Sequence, residues 1–460
     1  MKNYIGVDLG TSAVKLILTD ETGAILRTVS KAYPLSSPKP QWSEQAPEDW
    51  WNGVLEGLEE LLKGTDSSDV AGIGVGGQMH GLVMLDENDN VLRPAILWND
   101  TRTGEETDFL NDVVGKAKLQ DLTGNIAFAG FTAPKVLWVR KNEPDVFAAC
   151  TKMCLPKDYI NYKLTGVFAT DVSDASGTLY FDVEHRCWSD EMLELLGISE
   201  EQLPKVYESG DVIGRTTVFG MDAAVVAGAG DNAAAAMGTD TVREGQCNIS
   251  LGTSGTVFLP TDAYVKTSNP ALHSFCHANG KWHLMGCILS AASCNKWLNE
   301  TVFESDYDVG VSSAENELYF LPYLSGERCP HNDGDVRGAF VGITHTTSRE
   351  DMQLAVFEGV SFAIKDCIEL CPSQISTATV CGGGTKSRAW MQVLANVLGI
   401  ELKVISNEGP AYGGALLAAG ASHTPHVEYT VEPDLQTAAA YTRKYEKYKQ
   451  LYPMLKDFYR

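Results

Sequence analysis

The chain has 460 residues, with 60 acidic side chains against 36 basic ones and a net charge of −24. That length calls for at least two domains with sizeable cores, and that charge argues against nucleic acid or an anionic membrane as a partner. Eleven cysteines occur without a CxxC pair, no apolar stretch is long enough to cross a bilayer, and the chain opens in a strand-like run without a charged and apolar leader, so a cytoplasmic protein with reduced thiols is expected.

In chain order, YIGVDLGTSAVKLILTDETGAILRTVSKAY (4–33) reads as a three-stranded meander. Its first two strands meet at Gly10, Thr11 and Ser12, and the third follows a turn at Asp20 to Gly23. PEDWWNGVLEGLEELLKG (47–64) has Pro47 and Glu48 as a helix start, apolar residues at helical spacing, and Gly64 as a stop. The strand VAGIGV leads into GGQMHG (76–81), with a later turn at Asp89 and Asn90. In VVAGAGDNAAAAMG (225–238) an apolar strand delivers Asp231 to the start of an alanine-rich helix. The second half repeats the order: strands across Ile249 to Pro260, the helix SREDMQLAVFEGVSFAIKDCIEL, the strand TATVCGGG and the helix SRAWMQVLANVLGI. EGPAYGGALLAA (408–419) is a small-residue helix, and the carboxyl-terminal YTRKYEKYKQLYPMLKDFYR is an amphipathic helix expected to pack back on the body. Strands followed by alternating helices and strands, twice over, predict two α/β domains, 1–240 and 241–460.

LGTS is written twice, at Leu9–Ser12 and Leu251–Ser254, about half the chain apart, which marks an internal repeat. A Gly-Thr-Ser turn between strands turns N–H groups and hydroxyls outward with no Cβ at the glycine, and so can cradle phosphate oxygens. An ordinary hairpin turn uses the same residues; the repetition favours the ligand. Asp8 and Lys15 flank the first copy, whereas Ser250 takes the place of the acid in the second. Asp231 is either a base for a transferred proton or a helix cap. In HSFCHANGKWH, strand alternation is expected to separate the faces of His273, Cys276, His277 and His283, so a metal site is not expected there. Cys150 with Cys154 and Cys367 with Cys371 read as plain thiols.

These segments resemble the FGGY family of carbohydrate kinases. DLGTSAVK, SLGTSG, GDNAAAAMG and CGGGTKSRAW carry the likeness, and GFTAPKVLWVRKN (130–142) and GAFVGITHTTSREDMQLAVFE (338–358) are similar to the two long patterns of the family. It runs over nearly the whole chain. PQWSEQAPEDWW, GGQMHG, RPAILWNDTR, LPKDY, HSFCHA and FLPYLSGER are most similar to bacterial members acting on xylulose, and the Arg-Glu pair of members acting on glycerol is absent.

The resemblance implies two ribonuclease H-like domains of the actin-type ATPase fold around a central catalytic cleft. It implies ATP and Mg²⁺, and phosphorylation of a pentulose, D-xylulose to D-xylulose 5-phosphate, with release of ADP. Asp231 would be the general base, and Asp8 with Asp231 would hold the metal. Gln78, Met79, His80, Asp231 and Asn232 would face the sugar. Thr11, Ser12 and Lys15, with Gly252, Thr253 and Ser254, would hold phosphates, Lys15 reading equally as a solvated strand residue. Gly382, Gly383 and Gly384 would let the adenosine approach the backbone, and EGPAYGGALLAA would be a connecting helix near a hinge. The partners expected are a small sugar and ATP, with no nucleic acid and no membrane; nothing in this set speaks against a homodimer. The rival readings are a kinase of another ketose, a polyol or gluconate, and an actin- or chaperone-like ATPase.

Overall fold

Aliphatic residues alternate inward along the predicted meander, and it forms as β1 (Asn3–Leu9), β2 (Ala13–Asp20) and β3 (Ile25–Ala32), paired antiparallel in that order. The computed structural model describes residues 2–305, 317–406 and 409–459, so Glu408, at the front of the predicted helix 408–419, lies outside the described residues. Helix α1 (Pro47–Leu61) buries Trp50, Val54, Leu58 and Leu61 on the meander. Gly57 allows the close fit, since a Cβ there would stand 2.3 Å from a Leu16 methyl. The helix ends before Gly64, which takes φ +76 in the following turn.

Strand β4 (Val70–Gly77) lies parallel to β1. Helices α2 (Thr132–Asn142) and α3 (Pro156–Thr165) intervene before β5 (Val212–Thr216), β6 (Ala223–Val226), the two-residue β7 (Ala229–Gly230) and helix α4 (Asp231–Gly238). The first sheet runs β5-β6-β4-β1-β2-β3, with β7 paired to the end of β4.

The second half contributes β8 (Gln246–Leu251), β9 (Gly255–Thr261), β10 (His273–Cys276), β11 (Trp282–Ile288), helix α5 (Ala292–Trp297), helix α6 (Arg349–Glu369), β12 (Thr377–Cys381), helix α7 (Arg388–Leu398), β13 (Leu402–Ile405), helix α8 (Pro410–Ala419), β14 (Val427–Val431) and helix α9 (Leu435–Leu455). Its sheet runs β10-β11-β9-β8-β12-β13-β14. Both sheets are built alike: an antiparallel hairpin whose first strand, β1 or β8, also pairs in parallel with the strand after the crossover, β4 or β12. Two mixed sheets with helices packed on them are the α/β architecture expected from the repeat.

Helix α9 packs back as expected, burying Tyr441, Tyr445 and Tyr448 and setting Lys444 against Glu358 of α6 at 2.5 Å. Helix α8, though late in sequence, lies on the first sheet. A Cβ on Gly6 would fall 1.6 Å from the Ala411 carbonyl oxygen, one on Gly74 2.1 Å from that of Gly414, and one on Gly413 1.8 Å from that of Ala234. Small residues at those positions put backbone against backbone between α8, the sheet and α4.

The histidine strands need a correction. Phe275 on β10 stands opposite His283 on β11, so residues two places either side of Phe275 share that face. His273 stacks on Phe275 with ring centres 5.4 Å apart, and the His277 and His283 rings are 5.6 Å apart. Among the described residues no group of three His, Cys, Asp or Glu side chains could hold a metal ion, and no described helix is long and apolar enough to cross a membrane.

Candidate active site

The register of the first sheet assembles the site. Asp8 of β1 lies beside Gly76 of β4, and Gly76 beside Ala229 of β7, so three parallel strands end at one level. Ligands of parallel sheets collect at the carboxyl ends of strands. Here those ends deliver Asp8, the loop Gln78–His80 and Asp231 to one edge.

Asp231 opens α4 with Gly230 as the capping position, and no side-chain cap bond is made there. It is therefore not the helix cap. Its Oδ1 accepts the Asn232 backbone N–H at 2.7 Å and the Asn232 side-chain amide at 2.9 Å, and among the described residues Oδ2 receives no hydrogen bond. Burial pushes the Asp231 carboxyl up to about 6, against the bond from Asn232. Asp8 is pushed up to about 7, by burial and then by the charge of Asp231, while Lys15 pulls it back. Lys15 is paired across the hairpin with Asp8, so it stands beside the acid.

A buried ionic cluster sits under Asp231. Lys157, fully buried, reaches Asp158 at 2.7 Å, Asp171 at 3.2 Å and Asp174 at 4.0 Å, and donates to the Ala227 carbonyl at 3.1 Å. Burial alone would lower the Lys157 ammonium, but the three carboxylates more than offset it and it stays charged. Asp171 accepts the Ser173 hydroxyl at 2.5 Å, and that hydroxyl accepts the Gly230 N–H at 3.1 Å. Both ends of the segment before Asp231 are thus fixed.

The loop Gln78–His80 divides. Gln78, 3 % exposed, faces inward: its Oε1 accepts the Thr11 hydroxyl at 3.3 Å and its amide donates to Gln45 at 3.1 Å. It braces the first turn rather than facing the open edge. Met79 packs against Gly230 and Gly177, where a Cβ would crowd it at 3.0 and 3.1 Å, closer than ordinary van der Waals contact. His80 takes φ +70, held by Lys135, which donates to its carbonyl at 2.7 Å. The ring stacks on Phe131 with centres 4.6 Å apart. Burial first, then the nearby Lys135, pushes its pKa down to about 3, so the imidazole is neutral. Nδ1 lies 2.7 Å from the Gly177 carbonyl, an acceptor only, and must carry the proton. Nε2 is left as an acceptor for a hydroxyl.

The two LGTS turns differ in detail. In the first, Gly10 N–H closes the turn on Ala13 at 3.1 Å, and Thr11 Oγ1 accepts Trp98 Nε1 at 2.9 Å in addition to its bond with Gln78, leaving exposed Ser12 as the turn's outward hydroxyl. In the second, Thr253 and Ser254 are both exposed, while the Gly252 and Thr253 carbonyls accept the Ala292 and Ala291 amides at 2.9 Å each, tying the turn to α5. Ser250 lies beside Cys381, as Asp8 lies beside Gly76. Gly382, at φ +100, passes so close that a Cβ would meet the Leu251 carbonyl at 2.7 Å. Gly383 and Gly384 then line a cavity of about 430 Å³ with Asn295, Lys296, Lys386 and Trp390. The structure thus brings Asp8, Lys15, Met79, His80, Asp231 and Asn232 to the first edge, and Gly252, Thr253, Ser254 and the three glycines to the second.

Comparison with known proteins bears on this arrangement. Residues 3–238 match the amino-terminal domain and 247–422 the carboxyl-terminal domain of the FGGY family of carbohydrate kinases. The chain belongs to that family. The xylulose kinase of Escherichia coli (strain K12) is 40% identical over 480 residues, 98% of this chain and 99% of the relative. A crystal structure described as a xyloylose kinase from Brucella ovis superposes with a TM-score of 0.94 at 38% identity, covering 99% of this chain and 100% of that one. The gluconate kinase from Lactobacillus acidophilus superposes at 0.93 and 26%, covering 100% and 99%. The likeness to these FGGY kinases gives the two domains the actin-like ATPase fold, and ATP is the family's phosphoryl donor.

Sequence reading missed Lys157, Asp171, Ser173 and Lys135 as parts of the site. LPKDY and GFTAPKVLWVRKN stood out only through their likeness to the family; Lys135 among the apolar neighbours of TAPKVLWV was the one physical signal, because such an ammonium is buried only with partners.

Proposed function

We propose that the chain phosphorylates D-xylulose with ATP, giving D-xylulose 5-phosphate and ADP, in the cytoplasm and, where it self-associates, as a homodimer. The observation that carries the reading is the pairing, at one sheet edge, of an Asp231 oxygen that accepts no hydrogen bond among the described residues and a neutral His80 whose Nδ1 proton is spent on Gly177, leaving Nε2 as an acceptor. Phosphoryl transfer asks mainly for positioning and charge stabilisation. Asp231, with Oδ1 fixed by Asn232, orients the sugar's terminal hydroxyl on Oδ2 and takes its proton late in transfer. His80 accepts a second hydroxyl and Met79 walls the sugar. The turns at Ser12 and at Thr253 and Ser254 hold phosphate oxygens from opposite sides, and Gly382, Gly383 and Gly384 admit the adenosine to the cavity beside α5.

Asp8 and Asp231 fit a divalent cation: they are neighbouring, half-buried carboxylates, the charge of Asp231 adds to burial in raising the proton affinity of Asp8, and Asp8 receives no hydrogen bond among the described residues. Bound there, Mg²⁺ would neutralise charge on the phosphates. The superposition on a gluconate kinase favours one second reading, an aldonate acceptor. A coupled ADP-release assay over pentuloses, hexuloses, polyols and gluconate separates them. D-xylulose should give the highest kcat/KM; a higher value for gluconate, or ADP release indifferent to sugar, overturns the proposal.

A further inference from the structure

Arg328 comes from the second half of the chain but reaches the sugar edge of the first. Its loop is anchored on the second sheet: the Cys329 N–H donates to the Cys287 carbonyl at 3.0 Å, and Glu327 Oε1 accepts the amides of Leu289 at 3.0 Å and Arg328 at 2.7 Å. From there the guanidinium lies over the Phe128 ring, 5.3 Å from its centre. Among the described residues no carboxylate lies within ion-pair distance of that guanidinium. The aromatic groups around it are uncharged too, since burial holds both His80 and His273 neutral. The Cys287 thiol, a weak acceptor, is within its hydrogen-bond reach, and a half-buried guanidinium with five N–H groups keeps further donors to offer.

Its position along the pocket says which part of a sugar it meets. From Asp231 the wall passes to Met79, which packs on Gly230, then to His80, stacked on Phe131 at 4.6 Å, then to Phe128 at 5.3 Å from Phe131, and ends at Arg328. A sugar that places its terminal hydroxyl on Asp231 directs its other end along this wall. In a 2-ketopentose phosphorylated at C5, that end holds the C2 carbonyl and the C1 hydroxyl, two adjacent oxygens. A planar guanidinium donates to two such oxygens at once, and a carbonyl suits it best because it only accepts.

We infer that Arg328 binds the carbonyl end of the acceptor sugar, so that the second domain reads whether the sugar in the first is a ketose. The inference rests on the pentulose reading and names the residue that sets its preference. Holding the sugar from both halves would also make closure depend on the sugar.

The test compares D-xylulose with D-arabinitol and xylitol, the two alcohols formed by reducing its C2 carbonyl, in wild type, Arg328→Met and Arg328→Lys. Arg328→Met should lower kcat/KM for D-xylulose about 100-fold, the scale of a lost charge-assisted hydrogen bond, while the two pentitols and the KM for ATP change by less than about threefold. Arg328→Lys keeps a charge but not the planar fork, and should lose at least about tenfold on the ketose alone; it carries the test if the methionine variant does not fold. Equal losses on ketose and pentitols, or D-xylulose use unchanged in both variants, overturn the inference and leave the pentulose reading standing. A wild type that releases no more ADP with D-xylulose than without it overturns both.

Discussion

The two LGTS turns occupy equivalent places on equivalent sheets, yet one carries an aspartate where the other carries a serine. Asp8 and Ser250 hold the same position, on the strand shared by the antiparallel hairpin and the parallel crossover strand. The first edge gathers two carboxylates, Asp8 and Asp231, whose proton affinities are raised by burial and, at Asp8, by mutual repulsion. The second offers hydroxyls, glycines and the lysines Lys296 and Lys386. One fold, used twice, thus gives two chemically different edges, and the proposed reading assigns them two tasks: activation of the acceptor hydroxyl at the first and receipt of the nucleotide at the second. The carboxylates cost stability that a neutral edge does not.

The largest expected break is at Asp231. Asp231→Asn keeps the shape but cannot take a proton, and should lower kcat by about 10³-fold or more with nucleotide binding intact; a variant with a tenth of wild-type turnover contradicts the role. The base works deprotonated, so in wild type kcat/KM for the sugar should fall about tenfold per pH unit below about pH 6, where the Asp231 carboxyl takes up its proton. A profile flat to pH 5 places the base elsewhere.

Next is the ionic cluster that holds the acidic edge in place. Lys157→Met leaves three carboxylates buried around an uncharged side chain, and should destabilise the protein by about 3–5 kcal/mol in denaturant unfolding. Lys386, on the second edge, makes no ion pair among the described residues, so Lys386→Met should shift stability by less than about 0.5 kcal/mol. His80→Ala should weaken sugar use by about 1–3 kcal/mol, the cost of leaving buried polar partners unpaired, with ATP affinity nearly unchanged. Equal losses for both ligands make His80 a packing residue.

The smallest effect tests the cost of the acidic edge itself. The folded-state pKa of Asp8 is raised from 3.8 to about 7, so its favourable contribution is complete below pH 4 and is lost as pH rises towards 7. Asp8→Asn should therefore stabilise the ligand-free protein at pH 7.5 by about 1–2 kcal/mol and make no difference at pH 4. Destabilisation at pH 7.5 refutes the electrostatic account.

The doubled turn, the meander, the long helices and the two α/β units were legible in the sequence because each rests on local signals: strand alternation, Gly and Ser at turns, and helical apolar spacing. Asp231 was legible as a carboxylate at a strand-to-helix junction, but its freedom from capping was not, since Ser, Asp and Asn look alike at a helix start. Gln78 lay beyond reach for a different reason: whether an amide faces a ligand or braces a turn depends on Gln45 and Thr11, which are both distant in sequence. The shared face of His273, His277 and His283 followed from the pairing of Phe275 with His283, a register that alternation within one strand does not reveal. The placement of α8 on the first sheet, far from its neighbours in sequence, depends on glycines that read only as small residues until their partners are known.

The division of labour between the two edges is tested most directly by calorimetric titration of ATP, with Mg²⁺ and with chelator, into wild type, Asp8→Asn and Ser250→Asp. Asp8→Asn should lose most of the Mg²⁺ dependence of ATP binding, and Ser250→Asp should weaken ATP binding at least tenfold with or without Mg²⁺, because its new charge stands beside phosphates with no cation between them. An Asp8→Asn protein with the wild-type Mg²⁺ dependence, or a Ser250→Asp protein that binds ATP as wild type does, contradicts the account.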